Sequence, residues 1–167
     1  PYEQIAFQYS HHIIFSDGKI EHNSEYINAE PGKFPNYDFV RKLKHDLDSD
    51  IGSIFKYSTH ENSILNAIYD QLIDSDEQDK TELMDFIISI TNKKENNKLV
   101  RKGERDMIDL WDLVKKYFYH PDMKGSNSIK VVLPTVIKIC EYVKEKYSEP
   151  IGRINLTSLN FTDDHRW

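Results

Sequence analysis

Two carboxylates sit where a chain could use them for chemistry. Glu61 lies in "YSTHENSIL", residues 57–65, between a short apolar run and a helical pattern. Asp109 interrupts the apolar run from Met107 to Val114. Acids at the ends of neighbouring strands can converge on hard divalent cations. Mg2+ or Mn2+ held in this way activates water and stabilises the leaving oxygen in phosphodiester cleavage. Each acid also has a local explanation. A carboxylate in a first helical turn gains roughly 0.3–1 kcal/mol from the helix dipole, and Asp109 could cap the helix that carries Trp111.

Other residues offer weaker chemistry. His60, His11 and His12 carry ligating rings. On a strand His11 and His12 point to opposite faces and cannot chelate one ion, and His11 continues an apolar face and reads as core. The loop "KGSNSIK" places Lys124, Ser126, Asn127, Ser128 and Lys130 at a helix start, where N–H groups, hydroxyls and ammonium groups could hold a phosphate. No glycine-rich phosphate fingerprint is present, and turn formation with capping accounts for the same residues. Asp163 and Asp164 read as a solvated turn.

The elements that must position these groups are readable from periodicity. Ile5, Phe7, Tyr9, His11, Ile13 and Phe15 alternate, which predicts a strand with one buried face. Ser16-Asp17-Gly18-Lys19 predicts a tight turn with positive φ at Asp-Gly, and residues 20–27 the returning strand. Phe39, Val40, Leu43 and Leu47 are at helical spacing, with Asn36 as N-cap. Residues 53–57 predict a short buried strand, followed by a helix with Ile64, Leu65, Ile68 and Leu72 on one face. A charged break at 74–80 precedes a helix from Thr81 to about Ile90. "TNKKENNK", residues 91–98, reads as a polar solvated loop. Met107 to Leu110 reads as a strand end, followed by a helix through Phe118 that His120-Pro121 stops. A further helical pattern runs from Ser128 around Pro134 to Pro150, and residues 153–167 carry no clear pattern. This order predicts a single α/β domain with a mixed sheet flanked by helices.

Bulk properties narrow the function classes. The 167 residues suffice for a real core. A net charge of −6 argues against a broad basic DNA-coating face, but not against a local acidic metal site acting on nucleic acid. Cys140 is the only cysteine, so there is no disulfide framework, and a reducing cytoplasmic location is expected. No stretch is long enough to span a membrane. The chain opens without Met on a strand-like segment and closes abruptly at Trp167, so a fragment is expected.

Three stretches carry a family resemblance: "PYEQIAFQYSHH" at 1–12, "GSIFKYSTHENSILNAI" at 52–68 and "DMIDLWDLVKKYFYHPDMKGSNSIKVVLP" at 106–134. In this order and spacing they resemble an uncharacterised bacterial domain-of-unknown-function family (DUF2779) that looks related to the DnaQ-like, ribonuclease-H-like 3′–5′ exonucleases. The resemblance implies a ribonuclease-H-like fold truncated at both ends. A first acidic motif, Asp-Phe-Glu, would precede Pro1, and a last one would follow Trp167. The middle motif, whose usual pattern is Tyr-Asn, two residues, Phe-Glu, would fall on Tyr57, Ser58, His60 and Glu61. Ser58 and His60 depart from that pattern, and Glu61 keeps the carboxylate.

The resemblance further implies Glu61 as a catalytic metal ligand for Mg2+ or Mn2+ in the intact domain. Asp109 would be a catalytic acid on the neighbouring strand, and His60 a replacement for a packing aromatic. Gln8, Tyr9, Tyr57, Ser126, Ser128 and Lys130 would contact a nucleic-acid substrate. The expected function is a metal-dependent exonuclease-like phosphodiesterase whose present segment is inactive alone. The alternative is a non-catalytic nucleic-acid-binding or protein-interaction module.

Overall fold

A computed structural model describes residues 3–166. The architecture is mixed α/β, with six α-helices and short strands in three separate small sheets among the described residues. The chain divides into two compact units, one of residues 3–8 and Ile27–Lys116, the other of Tyr9–Tyr26 and residues 117–166.

In the first unit three helices make the core. They are α1 (Asn36–Leu47), α2 (His60–Ile73) and α3 (Lys80–Ile90). Helical spacing places Phe39, Val40 and Leu47 on one face of α1, Leu65, Ile68 and Leu72 on α2, and Leu83, Phe86, Ile87 and Ile90 on α3, all buried. Each fully buried aliphatic side chain contributes about 1.5–3 kcal/mol, which holds the helices despite the absence of side-chain N-caps on all three. Asn36 does not cap α1 as its sequence position suggests. It is fully buried, its Oδ1 accepts the Ala6 N–H at 2.8 Å, and its Nδ2 donates to Gln4 O at 2.8 Å and Gln71 Oε1 at 2.6 Å. The amide fastens the extended segment 3–8 to α1 and α2, a task a buried Asn performs because it both donates and accepts.

Two strand pairs complete this unit. β3 (Phe55–Lys56) and β6 (Ile108–Asp109) run parallel, with Phe55 opposite Ile108 and Lys56 opposite Asp109. The expected buried strand at 53–57 is thus two residues long, with Phe55 57% exposed and Lys56 buried. Residues 91–98, expected as a loop, instead form most of an antiparallel hairpin, β4 (Asn92–Glu95) and β5 (Lys98–Lys102). Its tip is Asn96-Asn97, at φ 49° and 61°. Asn tolerates the left-handed region, so the dipeptide supplies the primed hairpin turn that Asn-Gly more often supplies. α4 (Leu110–Tyr117) follows β6 directly.

In the second unit β1 (Gln8–Ile14) and β2 (Ile20–Ile27) form the predicted hairpin, and β7 (Leu156–Thr157) pairs parallel to β2. Along β1, Tyr9, His11 and Ile13 are only half-buried while their neighbours are exposed, so His11 is not a core residue, and Ile5, Phe7 and Phe15, expected on the same buried face, lie outside the strand and are exposed. The turn differs from expectation. Only Gly18 has positive φ, at 82°, and its N–H donates to Phe15 O at 2.9 Å, so the loop is three residues closed by a left-handed glycine. The helical region after Ser128 is two helices, α5 (Ile129–Ile139) and α6 (Glu141–Ser148), separated at Cys140, whose extended backbone interrupts the helical pattern.

Candidate functional site

The structure gathers polar chemistry at the end of the β3–β6 pair. Lys56 and Asp109 are register partners, so their side chains project from the same face. Lys56 Nζ donates to Asp109 Oδ2 at 2.7 Å and to Ser58 O at 2.7 Å. Asp109 Oδ1 accepts the N–H of Ser58 at 2.8 Å and that of Trp111 at 3.0 Å. The Trp111 bond is the capping contact expected for α4. The side chains are 4% and 12% exposed, so this is a largely desolvated ion pair. Burial alone raises the Asp109 carboxyl. The Lys56 ammonium and the two backbone N–H donors outweigh it and hold the group below the usual carboxylate range.

Ser58 makes the corner. Its φ of 76° is in the left-handed region, which costs a side-chain-bearing residue other than Asn or Asp roughly 1–2 kcal/mol. The turn brings the Ser58 N–H back onto Asp109 and starts α2 two residues later. Tyr57 is half-buried beside it, and burial and the Asp109 charge both push its phenol up. Glu61 is exposed in the first turn of α2, and its carboxylate makes no ion pair among the described residues. His60 is exposed too, so it does not pack as an aromatic in its place would.

In open α/β sheets ligands bind outside the carboxyl ends of the strands; the β3–β6 pair is a separate sheet of two strands, each two residues long. Lys56 and Asp109 both stand at the carboxyl end of the pair, and Glu61 follows from the same end of β3. Among the described residues no group of three or more His, Cys, Asp or Glu side chains could hold a metal ion. Asp109 has its two oxygens occupied by three donors. The described residues therefore do not by themselves fit Mg2+ or Mn2+.

The remaining expected residues are distributed. Gln8 is exposed at the start of β1, and Tyr9 is half-buried, its ring stacked on Tyr26 with centroids 5.9 Å apart. Ser126, Ser128 and Lys130 belong to the second unit. Ser126 Oγ accepts the Ser128 N–H at 3.3 Å, and Ser128 precedes α5 without a side-chain cap. Lys130 is exposed. His11 is half-buried, with Nδ1 3.3 Å from Ser24 Oγ. Asp163 and Asp164 are exposed.

The family description "Domain of unknown function (DUF2779)" matches residues 1–128. The chain belongs to the DUF2779 family. No curated protein and no solved structure matches it. The match covers the whole Lys56–Asp109 corner of this DUF2779 domain and stops immediately before α5, so Lys130 lies beyond it. Lys56 was not among the residues expected to matter at the site. The signal was a single charge inside the apolar run "SIFKY", which requires a partner if that run is buried.

Proposed function

We propose that this DUF2779 chain is part of a metal-dependent, exonuclease-like phosphodiesterase acting on nucleic acid, with a ribonuclease-H-like fold and a cytoplasmic location. The observation that carries the reading is Glu61, exposed in the first turn of the helix that follows β3 and without an ion pair among the described residues. Glu61 contributes one ligand for Mg2+ or Mn2+, and the rest of the ligand set comes from the acidic motifs that the resemblance places before Pro1 and after Trp167. The bound ion would supply Lewis-acid activation of water at a phosphodiester.

This chain's own residues do the positioning. Lys56 neutralises Asp109 and fixes the edge, the Ser58 turn sets where α2 begins, and Tyr57 lines the corner. Gln8, Tyr9, Ser126, Ser128 and Lys130 contact substrate in this reading. In this reading the segment alone is inactive, since Glu61 by itself does not hold a catalytic ion.

Oligonucleotide cleavage by the full reading frame with Mg2+ or Mn2+ tests the proposal. The expected result is metal-dependent cleavage that Glu61→Gln lowers by at least about tenfold. Unchanged cleavage in Glu61→Gln would remove the ligand role. A second reading, a non-catalytic nucleic-acid-binding or interaction module, is favoured by the neutralised state of Asp109 and the departures at Ser58 and His60. It predicts oligonucleotide binding without cleavage at any metal concentration.

A further inference from the structure

The β4–β5 hairpin is built unlike the rest of its unit. From Lys93 to Val100 every residue is exposed, so neither face is covered by other elements. An isolated two-stranded hairpin is marginal in water, yet this one is fastened at its root. Asn62 Oδ1 accepts the Asn92 N–H at 2.9 Å, while Asn62 Nδ2 and Asn66 Nδ2 donate to Asn92 O at 2.9 and 3.1 Å. Arg101 donates to Asn66 Oδ1 at 2.7 Å and lies over the Tyr69 ring at 5.4 Å. At the far side of the root, a Cβ on Gly103 would come within 2.2 Å of Ser89 O, so the backbone is seated directly on the end of α3. A solvated arm fastened at its base by these contacts suits contact with something outside the molecule.

Charge says what. Residues 92–102 hold five basic residues against one acidic, a net of +4 in a chain of net −6. Of the thirteen lysines elsewhere, eight pair with carboxylates; among the described residues Lys80, Lys116, Lys124, Lys130 and Lys146 do not, but they are scattered along the chain rather than gathered on one element. Lys93, Lys94, Lys98 and Lys102 pair with none among the described residues and are all exposed. Arg101 is spent at the root. The two strands end in Asn96-Asn97, whose side-chain amides can donate and accept at base edges. A two-stranded ribbon is also an element that a nucleic-acid groove admits.

We propose that β4–β5 is a nucleic-acid-contact arm, with Lys93, Lys94, Lys98 and Lys102 on backbone phosphates. The inference deepens the phosphodiesterase reading by assigning a substrate-binding element, and its structural basis is independent of Glu61.

The test is fluorescence anisotropy of labelled single-stranded and duplex oligonucleotides with the 167-residue chain. It compares wild type with the Lys93→Gln, Lys94→Gln, Lys98→Gln, Lys102→Gln variant over a range of salt, with circular dichroism to confirm folding. The expected result is affinity weakened at least about tenfold and a salt slope reduced by about three, near one phosphate contact per lysine. Equal affinity in both proteins would overturn the arm. So would wild-type binding to phosphatidylserine vesicles or to an acidic peptide in preference to oligonucleotides, since the charges would then serve another partner. A full reading frame that binds through the arm but never cleaves would defeat the phosphodiesterase reading alone. Cleavage that survives the four substitutions with unchanged binding would defeat the arm alone.

Discussion

Lys56 Nζ and Asp109 Oδ2 lie 2.7 Å apart across a parallel strand pair only two residues long on each side. The pair ties positions far apart in sequence at one corner. Removing one partner strands a buried charge. Lys56→Met is therefore expected to lower unfolding free energy by about 3 kcal/mol, at the low end for buried pairs because Asp109 keeps some solvent access. Lys56→Met with Asp109→Asn should recover part of that loss, and urea titrations of the three proteins measure it. A single variant as stable as wild type would show that the pair contributes nothing net.

Acid should reveal the same corner. The Asp109 carboxyl is depressed in the folded state, as is that of Asp79, chiefly through its hydrogen bonds from Arg41. Below about the ordinary value of 3.8 the unfolded chain binds protons that the folded chain does not. The stabilisation is thus fully present above that pH and is lost as pH falls through the depressed folded values. Stability measured from pH 7 to pH 2 should fall less steeply below pH 4 in Asp109→Asn than in wild type. Parallel curves would contradict the shift.

Ser58 carries backbone strain that its neighbours require. At φ 76° Asn is tolerated far better than Ser. Ser58→Asn should raise stability by up to about 1 kcal/mol and Ser58→Val should lower it by about 1–2 kcal/mol. Thermal melts of the two variants decide it, and an opposite order would place the corner in another conformation.

Asn36 makes a separate prediction. Asn36→Leu fills the same buried space but leaves the Ala6 N–H unsatisfied, while Gln4 O keeps a 3.2 Å bond from Gln71. The expected loss is about 2 kcal/mol, with accelerated hydrogen exchange at the Ala6 amide. Unchanged exchange would mean that the segment 3–8 is held by other contacts.

Much of the frame was legible in the residues. The faces of α1, α2 and α3 follow from helical spacing, which burial enforces, and the β1–β2 hairpin from period-two alternation, although its expected buried face is only half-buried and Ile5, Phe7 and Phe15 are exposed. The β4–β5 hairpin was not, because neither of its faces is buried and no hydrophobic alternation marks it. Asn36 reads as a cap in sequence because the same amide that suits a helix start also suits a buried three-way junction. The residues predict one sheet where the described residues form three, since strands of two residues leave almost no periodic trace. At the site, Glu61 and Asp109 stood out by type and position. Lys56 did not, because its partner is distant in sequence and only the register of β3 on β6 brings them together.

The central claim is that Glu61 ligates a divalent ion. Mn2+ titration of the isotope-labelled full reading frame, followed by paramagnetic line broadening, tests it most directly. The account predicts saturable broadening centred on the amides of residues 59–62 and its loss in Glu61→Gln. Sharp Glu61 signals at saturating Mn2+, with broadening elsewhere, would contradict it.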